Sequence, residues 1–324
     1  MNDYQVIRHE AGVVDMSDWG RFALRGVGAQ DALDALMGAN MLDLYDGVAT
    51  NTLIVSKSGG VEAVVWVVGL VDGFMVVCER EDAQTVGALL REQAQLYGVD
   101  VEDLQQSRFA LTLAGPAAQA VAERVFGDEV HSIAFLGALE LSSARVLAVR
   151  LGFVGEYELH FFGAPAEKEA LLQSLVGAGA KSVGASAYPV MMVEMRTLSR
   201  HRDIPADVSV FESGLQWMVD FRKDNFRGKQ ELEARRAGVQ CKCVMVLVEG
   251  APDGVSGAPL QVNDMCIGQV HRAYWSNTLE KTVALCYMDA ELAWPGIAMT
   301  VNGAQARSVG APAFLTQSVM QAFS

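Results

Sequence analysis

A chain of 324 residues, 51% hydrophobic and 20% charged, can bury a large core and is expected to form two or three compact units. Its net charge of −14 argues against nucleic acid and against an anionic membrane surface as partners. The apolar run AVVWVVGLV is far shorter than the roughly 20 residues that cross a bilayer, so no membrane span is read.

The opening, MNDYQVIRHEAGVVD, mixes acids into its first turns and has no basic head ahead of an apolar stretch. No secretory signal is expected, and the cytoplasm is the expected location. RFALRGVG reads as a strand entering a glycine turn, and AQDALDALMGANMLDL has apolar residues at helical spacing. Gly26 and Gly28 lack the third glycine of a dinucleotide fingerprint, because Asp31 stands in its place, so they read as an ordinary turn. TNTLIVSKSGGVEAVVWVVG reads as two strands across a Ser-Gly-Gly turn, DGFMVVCE as a third strand, and AQTVGALLREQAQLYG as an amphipathic helix closed by glycine.

FALTLAGPAAQAVAERVFG repeats strand, turn and helix, ARVLAVRLGFVGEYELHFF reads as a strand pair, and PAEKEALLQSLVGAGA is a helix with a glycine stop. Strands and helices without regular βαβ spacing suggest an α+β unit with antiparallel sheet. From Cys241 onward, short strands broken by Gly, Pro and Asn suggest a small all-β barrel or sandwich. The expected division is 1–240, as two interleaved subdomains (1–45 with 105–240, and 46–104), and a C-terminal barrel at 241–324.

Five cysteines are an odd number in a long chain and read as reduced thiols. Cys241 and Cys243 have no second Cys or His pair at zinc-like spacing, so no metal site is expected. Basic residues crowd between Arg196 and Arg236 with acids interleaved. That pattern fits a solvated face or a docking surface for an anionic ligand.

Several phrases, taken in order, resemble the glycine cleavage T protein superfamily. They are HEAGVVDMSDWGRFALRGVGAQDALDAL, SGGV at 58–61, LGFVGEYEL, MVEMR, ESGLQWMVDFRKDNFRGKQEL and IGQVHRAYWSNTLEKTVALCYMD. The resemblance implies a three-lobed fold around a central hole, with tetrahydrofolate bound there and a one-carbon group moved at its N5. It places Glu194 as the acid that pairs with the pterin ring, a role that suits a carboxylate accepting two parallel N–H bonds. The plainer reading of Glu194 is a buried acid neutralised by Arg196 or Arg200. Phe153, Glu156 and Tyr157 fall in a phrase that lines the folate channel in this superfamily, and Arg227, with Arg222 and Lys223, falls near the exit of the folate's glutamate tail.

Where the T protein carries a pair of aspartates after the Gly-Gly turn, this chain has Glu62, Ala63 and Val64, with Glu62 one residue early. A one-residue offset turns Glu62 to the other face unless a bulge corrects it. Ala187, Tyr188 and Pro189 replace an A-R-D phrase, and Asn51 replaces a tyrosine. The combination resembles the demethylase branches, which pass a methyl group from a small O-, S- or N-methylated compound to tetrahydrofolate. Proton donors for a leaving group are His271 and Tyr274, with Tyr188 and His201 behind them and Glu62 as a further catalytic candidate. Substrate contacts are assigned to Trp19, Asn51, Trp66, Tyr188 and Arg196, the tryptophans as stacking or cation–π partners. Two alternatives stay open: a divergent aminomethyltransferase with a lipoyl carrier protein as partner, and a non-catalytic folate-binding accessory protein. The second lacks its cysteine, since KDNFRGKQ stands where that group carries K-G-C-Y-x-G-Q-E. Monomer and homodimer also stay open.

Overall fold

Asn2 opens the first helix, Asp3–His9, through a reciprocal capping box with Gln5. That fixed start sets Tyr4 and Arg8 one turn apart on the same buried face, where both become part of the molecule's centre. The computed structural model describes residues 1–321, which form two sheets with their helices and a closed six-stranded barrel. No helix among the described residues is long and apolar enough to cross a membrane.

The five-stranded antiparallel sheet runs Ala49–Val55, Val61–Leu70, Gly73–Cys78, Gly20–Arg25, Asp100–Asp103. Its two faces follow strand alternation. Ala63, Val65 and Val67 pack under the helices Ala29–Leu36 and Ala83–Leu96, while Val64, Trp66 and Val68 turn to the centre of the protein. The six-stranded sheet runs Lys181–Val183, Gly12–Asp15, Phe109–Ala114, Glu158–Gly163, Val146–Val149, Ala138–Leu141. Leu111, Leu113, Leu159 and Phe161 face the helices Ala118–Phe126 and Lys168–Gly177; Ala110, Ala114 and Phe162 face the centre.

The barrel runs Cys241–Glu249, Lys281–Asp289, Met265–Ser276, Pro259–Val262, Ala298–Val301, Ala304–Val309. It has its own core, but Cys243, Met245, Val283 and Leu285 join the central cluster. Three lobes therefore meet on one shared core. The two sheets interleave earlier than the sequence suggests. Gly20–Arg25 pairs with Gly73–Cys78, so the chain crosses between sheets at the turn closed by Trp19 N–H on Met16 O, not near residue 45. Phe22 and Leu24 are drawn to the helical core of the second lobe, and the strand follows them.

Candidate functional site

The central core is aromatic on one side. Trp66 lies edge-on to Phe153 at 4.4 Å between centroids, and Trp19 meets Phe153 at 5.2 Å and Trp66 at 6.1 Å. Trp66 and Phe153 are buried, and half-buried Trp19 carries the cluster to the surface. The sequence-assigned Trp19, Trp66 and Phe153 are thus brought together, each ring packed against the other two.

A chain of charged groups lies beside it. Glu194, on the helix Tyr188–Met195, is fully buried. Arg8 donates from Nη2 to Glu194 Oε2 at 2.6 Å, and the Tyr4 hydroxyl donates to Oε1 at 2.7 Å. Arg8 also reaches Val154 O at 2.6 Å and Glu156 Oε1 at 3.3 Å, while the Phe314 ring covers its guanidinium. The cation that neutralises Glu194 is therefore Arg8, not Arg196 or Arg200. Arg196 turns away, in a left-handed conformation, to hold Cys243 O at 2.8 Å, and Arg200 donates to Val61 O and Ile204 O. Arg196 joins lobe to barrel, so its assignment to substrate is corrected.

Glu158 pins the phrase that carries Phe153. Its carboxylate accepts from the backbone N–H groups of Phe153 and Val154 and from the Tyr188 hydroxyl at 3.1 Å. Burial pushes its pKa up to about 7, against the pull of those three donors. Tyr188, assigned to substrate, is already committed to Glu158. Glu156 answers Arg8 with one oxygen and, with the other, takes the Ser318 N–H at 3.0 Å and its hydroxyl at 2.6 Å. A groove of about 650 Å³ runs along Gly155, Glu156 and Tyr157 beneath this C-terminal segment. Tyr157 itself belongs to the helix-side core under Arg150, not to the aromatic wall, because strand alternation turns it outward.

The strand pairing steps from Ile54 opposite Ala63 to Val55 opposite Val61, leaving Glu62 as the extra residue of a bulge. The bulge lets both Val61 and Val64 face the central core, and half-buried Glu62 has no hydrogen bond or ion pair among the described residues. Asn51 pairs across the sheet with Trp66, donates to Val65 O at 3.2 Å and lines a shallow pocket of about 380 Å³.

Other assignments move elsewhere. Arg227 lines an open groove of about 880 Å³ that shares no lining residue with the groove at Glu156. Lys223 caps the helix Ala29–Leu36, with Nζ on the carbonyls of Asp34, Met37 and Ala39, and Arg222 is spent on Asp220. The basic stretch is thus partly consumed by capping rather than gathered for an anion. His271, the extra residue of a barrel bulge, hydrogen-bonds Arg202 O at 2.9 Å, and burial lowers its pKa. It tethers barrel to helix Arg200–Asp203. Tyr274 packs partly against the central core.

His201, in that helix, stands 2.9 Å from Asp82, whose side chain is buried and whose oxygens accept no hydrogen bond among the described residues. Burial lifts the Asp82 carboxyl from 3.8 to about 6, with Glu79 and Glu81 adding to the rise and His201 and Arg200 opposing it. A carboxyl raised in the folded state contributes stability that is complete below its ordinary range and is lost as pH rises through about 6. Asp82→Asn is therefore expected to raise stability on the order of 2 kcal/mol at pH 8 and to change it little near pH 4, measured by urea unfolding at both values. Arg8, Tyr4, Glu158 and Asp82 were missed in the sequence. Tyr4 and Arg8 at i and i+4 ahead of a strand were the one available signal.

Comparison with known proteins follows the same outline. Residues 1–223 match the GCVT N-terminal domain, and residues 241–314 match the glycine cleavage T-protein C-terminal barrel domain. An aminomethyltransferase of Parasynechococcus marenigrum (strain WH8102) is 27% identical over 314 residues, covering 93% of this chain and 86% of its own. One from Synechococcus sp. (strain RCC307) is 28% identical over 307 residues, covering 93% and 86%. The crystal structure of glycine cleavage system aminomethyltransferase T from Bartonella henselae superposes with a TM-score of 0.88 at 21% identity, over 97% of this chain and 89% of that one.

Proposed function

The chain belongs to the glycine cleavage T-protein family, and from that premise we propose that it is a tetrahydrofolate-dependent one-carbon transferase of the aminomethyl-transferring kind. Aminomethyltransferases of this family use tetrahydrofolate. Two relatives named for that activity align over nearly the whole chain, which supports this reading over the demethylase expected from the sequence.

The observation that carries the proposal is the Glu194 carboxylate. Each oxygen takes one bond, from Tyr4 or from Arg8, and so keeps a second acceptor position. A buried carboxylate with two acceptor positions in one plane suits the paired N–H edge of a pterin. Arg8 and Tyr4 would hold it ionised and oriented, Phe153 would lie against the flat ring, and burial of the whole assembly would exclude water. Bound tetrahydrofolate supplies the secondary amine that accepts the carbon. Under this reading the partner is a lipoyl carrier protein presenting an aminomethyl group.

A second reading, removal of a methyl group from a small methylated compound, draws on the strand Val61–Leu70. It offers Val64, Trp66 and Val68 to the centre, and its only carboxylate, Glu62, sits in the bulge. Displacement at a methyl carbon chiefly needs alignment of nucleophile, carbon and leaving group, and a sulfonium departs without an acid. The two readings separate in one assay. The protein with tetrahydrofolate and an aminomethyl-loaded lipoyl carrier is expected to release ammonia and form methylene-tetrahydrofolate, read by mass spectrometry. Formation of 5-methyltetrahydrofolate from a panel of sulfonium, methoxy-aryl and N-methyl compounds would install the second reading. Neither product would reject both.

A further inference from the structure

His160 lies on the strand Glu158–Gly163, facing the centre, with its ring 4.9 Å from that of Phe153. It is 6% exposed, and its Nε2 has no hydrogen-bond partner among the described residues. Its Nδ1 is 2.8 Å from the hydroxyl of Thr112, the cross-strand neighbour. Thr112 is wholly buried, and its hydroxyl has no other partner among the described residues.

Proton accounting then assigns the tautomer. If Nδ1 carried the ring proton, both the Thr112 O–H and the Nε2 lone pair would be left unmade. If Thr112 donates to Nδ1, only one group is left over, the Nε2–H. Burial holds the ring far below its ordinary pKa, down to about 3, so it stays neutral over the working range. The result is a neutral, fixed, unpaired donor sealed beside an aromatic cluster. The large majority of buried polar groups are paired, so an orphan facing the centre needs a reason.

Contacts connect this donor to Glu194 through one short loop. His160 meets Phe153; the next residue, Val154, gives its carbonyl to Arg8; and Arg8 holds Glu194. The same loop thus stands between a buried acceptor and a buried donor. A simple methylated compound has no use for both. A pterin does, because its N–H edge needs acceptors while its ring carbonyl and ring nitrogens need donors. We propose that His160 Nε2–H is a cofactor-binding donor that meets a ring acceptor of the reduced pterin, complementing Glu194 on its N–H edge. The proposal rests on the folate reading above and adds to it a residue that the sequence does not single out.

The test uses calorimetry with tetrahydrofolate and thermal melting, on wild type and His160→Phe. Phenylalanine keeps the ring and removes the donor. The variant is expected to bind tetrahydrofolate about tenfold more weakly while its melting temperature is unchanged or higher, since an unpaired buried donor has gone. Equal affinity would overturn the proposal and leave the N–H as a contact to the Phe153 ring alone. Should the variant not fold, imidazole nitrogen NMR on the wild type decides. An Nε2–H resonance that moves on adding tetrahydrofolate supports the proposal, and one that stays put overturns it. A wild type that takes up no tetrahydrofolate would remove the folate reading itself, and this proposal with it.

Discussion

Arg8→Met is expected to destabilise the protein by about 3–5 kcal/mol, the range for removing one partner of a buried ion pair. Arg8 is buried between Glu194 and Glu156, both sealed from solvent at the side chain. Methionine fills much of the volume but leaves two carboxylates without their cation and the Val154 carbonyl without its donor. Tyr4 and Ser318 still donate to them, yet neither carries charge. The stranded carboxylates would take up protons, so the loss should be smaller at pH 5 than at pH 8. Urea unfolding of the variant at the two values checks this. A loss below about 1 kcal/mol at pH 8 would mean that the pair is not what holds the first helix to the centre.

Glu194→Gln carries the second large effect, and it falls on binding. The amide keeps one acceptor oxygen and replaces the other with a donor, which must face either the Tyr4 hydroxyl or the Arg8 guanidinium. A charge-assisted hydrogen bond to the ligand is lost and an unpaired cation remains at Arg8. Tetrahydrofolate affinity should fall about 10- to 100-fold, the equivalent of about 1.5–3 kcal/mol for a bond to a charged group. Circular dichroism establishes that the variant is folded, and calorimetry reads its affinity. Affinity equal to wild type would take Glu194 out of the ligand site.

How much of this was legible in the chain depends on whether the relevant physics is local. Alternation in VEAVVWVVGL places Trp66 and Val64 on one face without any structure, because side-chain period in a strand is fixed by the backbone. The bulge at Glu62 is not legible, since an extra residue is defined only against the partner strand that fails to match it. The crossing of the chain at the Met16–Trp19 turn is hidden for the same reason: Gly20–Arg25 finds a partner more than forty residues later.

Charge misled in one place and was overlooked in another. Lys223 reads as one more cation in a basic stretch, and a count cannot distinguish a solvated ammonium from one spent on three helix-end carbonyls. Arg8 sits in a short helix whose i and i+4 spacing is ordinary, and its significance comes from Glu194, which is 186 residues away. His160, in ELHFFG, falls in a stretch that reads only as part of a strand pair, and the strand buries it. That its second nitrogen meets nothing is a property of the packed centre alone. The phrase GFVGE carries Phe153 into the aromatic cluster, yet Tyr157, two residues past its second glycine, faces the opposite layer.

The most direct test of the whole account is anaerobic titration calorimetry of tetrahydrofolate into the wild-type protein. Saturable uptake at a single site per chain, weakened in Glu194→Gln, is the expected result. Absence of any binding heat, with the protein shown to be folded, would contradict it.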